Sequence, residues 1–368
     1  MKVLVTLLSV GFAGTERHAI ELTNTLARHC DVALLLRRRP SEVHRQAQYD
    51  ALRSAIAPDI RLFLASRAAP VIGLWNALLR FRPDVVHAHH ERSARIASRY
   101  ALNVPVLATV HVHFRARDFM RCDGVICLTE AEAHTIPSSY PGERFVIGNW
   151  VSPHALPSDA TRRRLRAELG VAADDYVVGS VGRLQPVKGI DGLIAAFARA
   201  SLPRSRLVVV GEGPDRADLE RMARALNVGD RVVFTGFRSD VRDVYTLFDV
   251  FVLNSADEPY GLVILEAASA GVPVIATATF GACAIAETLP LTLVPLGAEA
   301  ALVSALHDQW VNRGRPPPGA LTGFAIEDRL PDLLAAYARI SAPRSIRHGA
   351  ADRPIASAAR SMDPANHE

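Results

Sequence analysis

Two carboxylates, Glu258 and Glu266, bracket the stretch EPYGLVILE, and the second sits among Val263, Ile264, Leu265, Ala267 and Ala268. A carboxylate in so apolar a run is costly to desolvate unless a polar partner meets it. The preceding DVFVLNSA reads as a strand and ADEPYG as the turn after it, with Pro259 suited to the first turn of a helix entering at Gly261. The amides of Tyr260, Gly261, Leu262 and Val263 would then point outward as an anion site, and Gly261 permits close backbone approach. Glu266 lies roughly 7 Å below that tip at ~1.5 Å rise per residue. This spacing suits a group joined to a phosphate, such as a ribose offering two hydroxyls to one carboxylate, with Glu258 flanking the phosphate. The structural alternative is that Glu258 caps the helix and Glu266 bonds a neighbouring backbone.

A second stretch, VGRLQPVKGIDGLIAAF (181–197), runs strand, loop, helix and sets Arg183 and Lys188 around Pro186 at the mouth of a sheet. Lysine occurs in this chain only at positions 2 and 188; every other Lys/Arg cation is arginine. A compact three-donor point charge serves a phosphate where a planar guanidinium fork does not fit. The alternative is a lysine left by drift on a surface turn.

Positioning these residues needs a framework, and the chain supplies two. Its 368 residues exceed one ordinary core, so two domains are expected. Strand-like runs alternate with helical patterns: KVLVTLLSV, DVALLL, IRLFL, DVVHAHH, PVLATVHV, GVICLTE and RFVIGN, then YVVGSVGRL, RLVVVGEG, RVVFTGF, DVFVLNSA, PVIATAT and LTLVPL. Continuous apolar strands separated by helices mark parallel α/β sheets, with ligand loops at the carboxyl ends of the strands. The expected division is 1–152, 153–340 and a disordered tail, 341–368, with the junction in NWVSPHALPS. Two such domains facing each other would form a cleft.

Hydrophobic residues make up 49% and charged residues 22%, as in an ordinary soluble globular protein. A net charge of +4 suits an anionic ligand or anionic membrane surface, and no Lys/Arg stripe is dense enough to call for nucleic acid. Cys30, Cys122, Cys127 and Cys283 form no CxxC pair and read as buried free thiols in a reducing compartment. The opening MKVLVTLLSVGFAG reads as a strand and glycine turn rather than a signal peptide, and no apolar run approaches the ~20 residues of a spanning helix.

Taken together, GRLQPVKG (182–189), GEGPDR (211–216), FTGFRSD (234–240) and EPYGLVILEAASAGVPVIA (258–276) resemble the retaining GT-B glycosyltransferases of family four. GFAGTERHAIEL (11–22) is similar to that family's glycine loop and first helix, and PDVVHAHH, LATVHVH and CDGVICLTEAE to its later strands. The glycine loop departs from adjacent glycines, and Gly281 stands alone where the family often has two.

The resemblance implies a GT-B fold, two Rossmann-like doubly wound parallel-sheet domains facing across a cleft. It implies that Arg183 and Lys188 hold the pyrophosphate of a UDP- or GDP-sugar, Glu266 the ribose hydroxyls, and Glu258 the sugar near its reacting carbon. Gly261 and Leu262 would support the phosphates, Gly236 and Phe237 approach the base, Gly14 border the sugar, and His111 occupy the family's TxH position. Cations and a helix start would stabilise the leaving phosphate without a metal or other cofactor. Retention would follow the family's front-face route, in which that phosphate helps deprotonate the acceptor.

The implied activity is retaining transfer to a hydroxyl of a glycan or glycolipid on the cytoplasmic side of a bacterial envelope, as in lipopolysaccharide or polysaccharide synthesis. Peripheral contact with the inner membrane surface is allowed by the same reading. Competing readings are a catalytically silent nucleotide-sugar-binding module, and a GT-B epimerase or phosphorylase.

Other signals carry less. Gly211-x-Gly213 is half a dinucleotide fingerprint, with Arg216 where the third glycine would stand. His87, His89, His90, His111 and His113 end two different strands without a cysteine or HExxH partner, so zinc is not expected, and cleft-lining or structural roles are. TRRRLRAEL (161–169) reads as a solvated basic helix with some scope for an anionic surface. The Leu74/Trp75/Leu78/Leu79 stripe is expected in a core unless it forms an exposed patch. HFRARDFMR (113–121) mixes arginines and aromatics in a way that would suit a phosphate-bearing acceptor.

Overall fold

The computed structural model describes residues 1–342 except 10, 12, 13, 41, 42, 153–155, 315, 317, 318 and 320. From residue 343 on, the expected tail lies outside the described residues, as do Pro153 at the expected junction and the middle of the G-F-A-G loop.

Thirteen strands form among the described residues: β1 (Lys2–Leu7), β2 (Asp31–Arg37), β3 (Arg61–Ala65), β4 (Val85–His89), β5 (Val106–Thr109), β6 (Gly124–Cys127), β7 (Glu143–Val146), β8 (Tyr176–Val181), β9 (Ser205–Val210), β10 (Val232–Gly236), β11 (Val250–Leu253), β12 (Val274–Thr277) and β13 (Leu291–Val294). The Val/Leu/Ile runs that fill most of them are buried on both faces, as parallel strands between helices must be. Sheet orders are β3-β2-β1-β4-β5-β6-β7 and β10-β9-β8-β11-β12-β13, and all the pairings are parallel. Each sheet reverses its winding once, between β1 and β4 and between β8 and β11. Helices on opposite faces diverge there, which opens a crevice at the carboxyl ends of those strands.

Each sheet has its own core and its own compact unit. One unit is Met1–Gly148 with the chain from Leu330 onward; the other is Asn149–Arg329. The first core gathers Leu4, Leu35, Phe63, Val86, Ala108 and Val125. The second gathers Val178, Leu207, Val209, Val252 and Ile275.

The last helix, Ile326–Ser341, changes unit along its length. Residues 330–340, expected with the second domain, therefore pack in the first. Tyr337 is fully buried there, its hydroxyl 2.6 Å from His87 Nδ1, while His87 Nε2 lies 2.8 Å from Thr109 Oγ1. No local pattern in the sequence announces a bond between residues 87 and 337.

The helix Pro70–Phe81 ends as its sequence predicts, with Arg82 left-handed at φ 52° just before Pro83. Leu74 and Leu78 enter the core, but Ile72, Trp75 and Leu79 are exposed by 66%, 43% and 69%. The expected core stripe is thus half core and half surface. Of the four thiols only Cys122 and Cys127 are buried, with burial pushing Cys122 up to about 12; Cys283 is exposed, against the sequence expectation. No described helix is long and apolar enough to cross a membrane.

Burial also makes the fold acid-sensitive. It holds His87 at about 3, against 6.5 for a free ring. The unfolded chain therefore binds the proton that the folded chain excludes, so stability is full above about pH 6.5 and falls as pH drops toward 3. We expect this ring alone to remove about 2 kcal/mol by pH 5, at ~1.4 kcal/mol per unit. Urea unfolding from pH 7.5 to 5 should show the loss, and His87→Gln should reduce it by about that amount.

Candidate active site

The loops leaving β8 and β11 meet at the winding reversal of the second sheet. Pro186–Lys188 form one turn of 3-10 helix that ends on Gly189, left-handed at φ 58°. A Cβ on Gly189 would lie 2.2 Å from the Asn254 carbonyl oxygen, so only glycine fits. Asn254 Nδ2 donates to the Gly189 carbonyl at 2.8 Å, and the Ala256 amide donates to the Val187 carbonyl at 2.8 Å.

This stapling sets Lys188 Nζ 2.6 Å from Glu258 Oε2, in a pair whose side chains are only 21% and 14% exposed. Glu258 is therefore an ion-pair partner, and no side chain caps the helix Leu262–Ser269. That helix begins at Gly261, left-handed at φ 95°, and a Cβ there would come within 3.4 Å of Glu258 Cγ. Lys188, Glu258, Gly261 and the half-buried Leu262 thus adjoin one another at an open helix start.

The polar partner that the half-buried carboxylate meets is Tyr245, whose hydroxyl donates to Glu266 Oε2 at 3.0 Å. Glu266 also lines a small open pocket with Val151, Ser152, Arg242 and Ser269. The phenol holds one carboxylate oxygen and so orients the group.

Arg183 is exposed and makes no hydrogen bond or ion pair among the described residues. Its loop runs against the loop after β9, where a Cβ on Gly211 would lie 1.9 Å from the Gly182 carbonyl oxygen. The glycines of GEG therefore serve close backbone packing, which accounts for half a dinucleotide fingerprint without a dinucleotide. The Gly211 amide donates to the Gly236 carbonyl at 3.0 Å, and Phe237 beyond it is 54% exposed. Four of the expected donor elements, the loops after β8, β9, β10 and β11, are in this way tied to one another.

In the first unit the histidines gather at the corresponding reversal. His89 ends β4, His111 follows the adjacent β5, and His18 comes from the helix Gly14–Leu26. His89 Nδ1 lies 2.9 Å from His111 Nε2, and one nitrogen from each of His18, His89 and His111 lies within 4.8 Å of the others. HAHH and HVH end different strands, as expected, and meet because β4 and β5 are neighbours. His18 was not foreseen: its position in TERHAIEL carries no metal or site spacing.

Burial lowers His18 to about 3, with His87 adding to the effect, and holds His89 and His111 well below the ordinary range. These rings are neutral at pH 7, able to donate and accept hydrogen bonds but not to act as cations. His90, left-handed at φ 70°, pairs with the buried Glu16 at 3.1 Å. Gly14 is exposed at the start of its helix. Arg117 and Arg95 both bond the buried Asp118, so HFRARDFMR spends part of its charge internally. In TRRRLRAEL only Leu165 and Leu169 are buried, and Glu168 pairs with Arg164 and Arg238, a largely solvated face as expected.

Two family models match the chain, one described as glycosyl transferases group 1 over residues 161–290 and one as glycosyltransferase family 4 over residues 12–180. The lipopolysaccharide core biosynthesis glycosyltransferase LpsE of Rhizobium meliloti is 33% identical over 203 residues, 55% of this chain and 58% of that protein. A D-inositol 3-phosphate glycosyltransferase of Stackebrandtia nassauensis is 32% identical over 313 residues, 69% of this chain and 68% of that protein. The alignments with LpsE and with LpsD of the same organism span 58% and 59% of those relatives' own length.

Among solved structures, Anabaena Alr3699/HepE in complex with UDP and glucose has a TM-score of 0.71 at 21% identity, covering 95% of this chain and 98% of that one. The lipopolysaccharide outer core galactosyltransferase WaaB has a TM-score of 0.66 at 17% identity, covering 91% and 99%. Their likeness is one of fold, and the fold is GT-B.

The staple between the two loops gives a direct test. Gly189→Ala must place a Cβ against the Asn254 carbonyl, and we expect a loss of about 2 kcal/mol or more from left-handed strain plus the clash. Chemical denaturation of this variant against Gly170→Ala, whose Cβ would meet nothing within 4 Å, separates the close contact from backbone strain alone.

Proposed function

The chain belongs to the group 1 glycosyltransferases of family four, and from that membership we propose that it moves a sugar from a UDP- or GDP-sugar to a hydroxyl of a glycan or glycolipid. The reaction proceeds with retention and without a metal, in the cytoplasm, during synthesis of lipopolysaccharide or another envelope polysaccharide. Relatives named for lipopolysaccharide core biosynthesis, and GT-B neighbours bound to UDP or UDP-glucose, support this reading.

One observation carries it: Lys188 and Glu258 sit together at an open helix start, beside the glycine that admits a phosphate. A diphosphate competes with Glu258 for Lys188 Nζ, drawing the cation onto the leaving group and freeing the carboxylate to face the sugar. Arg183, exposed and uncommitted, adds the second cation, while the amides of Gly261 and Leu262 add uncharged donors. Glu266, oriented by Tyr245, accepts from the ribose hydroxyls. Gly236 and Phe237 attend the base. His111 and Gly14 keep, by family likeness, their roles beside the reacting sugar. Breaking the sugar–phosphate bond then needs negative charge stabilised on the phosphate, which these donors supply without a cofactor.

Lys188→Ala and Glu266→Ala should each weaken donor binding by about 1–3 kcal/mol, the worth of a lost charged hydrogen bond. Calorimetry across a panel of nucleotide sugars measures this, and unchanged affinity in both variants sinks the assignment. Nucleotide release that depends on acceptor separates a transferase from a silent binding module. Conversion of donor alone marks an epimerase, and a requirement for inorganic phosphate a phosphorylase.

The acceptor side includes a membrane surface. Ile72, Trp75 and Leu79 project at helical spacing from Pro70–Phe81, with the exposed Arg80 and Arg82 beside them. An apolar row edged by cations fits the interface of an anionic bilayer. Vesicles rich in phosphatidylglycerol should sediment with the protein, and Ile72→Glu/Leu79→Glu should abolish the association while leaving donor affinity intact. Equal sedimentation of the double variant rejects the contact.

A further inference from the structure

The histidine cluster of the first unit is built unlike its neighbour His87. His87 satisfies both ring nitrogens, on Tyr337 and Thr109. His89 is fully buried yet makes its one hydrogen bond to another histidine, and its Nε2 has no partner. One nitrogen from each of three imidazoles, two of them buried, lies within 4.8 Å of the others, close enough to share one binding partner.

Their spacing says what that is. A ring nitrogen bound at ~2.0–2.1 Å puts each imidazole centroid about 3.2 Å from the metal, so two rings at the tetrahedral angle stand about 5.2 Å apart. The centroids of His18 and His111 are 5.1 Å apart, those of His89 and His111 5.2 Å, and those of His18 and His89 5.7 Å. Three neutral nitrogen ligands select zinc or a similar first-row ion over magnesium or calcium, which take oxygen.

We propose that His18, His89 and His111 form a three-imidazole site for a divalent transition-metal ion of the zinc class. His18 and His89 are its buried ligands, and His111 is the half-buried one. The Glu16–His90 pair stands beyond, with the His90 ring centroid 6.0 Å from that of His111. For the ion to bind, neither nitrogen of the His89 Nδ1···His111 Nε2 contact carries the proton; it moves to the far nitrogen of its ring.

The consequence follows from the role proposed above for His111, and this part rests on that reading. A metal-bound His111 has lost the lone pair it would offer to a substrate hydroxyl. Transfer that needs no metal is thereby arrested by one.

The test uses the full chain freed of metal by chelator and dialysis. Zinc is titrated in competition with a chromophoric chelator, and cobalt is added separately to read the visible bands of four-coordinate geometry. We expect one ion per chain, with affinity reduced by about tenfold or more in His18→Gln and in His89→Gln, since even the residues supporting a ligand are worth that much. The exposed His134→Gln should bind as wild type does. Thermal unfolding with and without zinc gives a second readout, because the ion should raise the midpoint of wild type and of neither cluster variant. Should one variant fail to fold, the other carries the comparison. Absence of binding in wild type, or equal binding in the cluster variants, overturns the site. Zinc bound with undiminished glycosyl transfer overturns the inhibitory role alone, and the binding arm is decided even if no transfer is found.

Discussion

Backbone touching backbone is the constraint on which the proposed donor site depends. Gly189 lies so close to the Asn254 carbonyl that no side chain can intervene, and two hydrogen bonds lock the loops after β8 and β11 at that point. Lys188 is held within bonding distance of Glu258 as a result, not by the mutual attraction of two charges alone. A half-buried ion pair between flexible side chains costs entropy and desolvation that its Coulomb energy offsets poorly. Here the loops have already been ordered by the sheet, so the pair comes preorganised.

The same logic places the histidines. Winding reverses between β1 and β4, and the crevice at that reversal receives the ends of β4 and β5 and the first helix. Polar rings collect there because the crevice is the one part of a doubly wound sheet that helices do not cover. The two units thus use one topological device for different chemistry: charged donors and a helix start in one, neutral nitrogen donors in the other. Burial of the rings keeps them neutral and makes the first unit sensitive to acid.

Much of this was legible in the residues. Apolar runs of strand length separated by amphipathic stretches are enough to announce two parallel sheets, because a strand buried on both faces can hardly be spelled otherwise. The solitary Lys188, the carboxylates Glu258 and Glu266, and Gly261 were identifiable because their types and spacing are local and their chemistry is unusual in context. The helix 70–81 was legible to its last residue, since Pro83 leaves it nowhere to go. What the residues did not show was which distant segments meet. HAHH and HVH, 22 residues apart at His89 and His111, prove to be in contact, and residues 330–340 pack in the unit they seemed to leave.

The sequence alone determined the class of fold, the loops that carry charge, and the need for some partner to Glu266. Tertiary structure decided which partner: Tyr245, 21 residues away, with nothing in DVYTLFD to mark it. It likewise decided that Tyr337 meets His87 across 250 residues and that His18 joins His89 and His111. The physical reason is the same in each case. Backbone pattern is set by interactions within a few residues, whereas the company a buried polar group keeps is set by strand order, which no short window of sequence records.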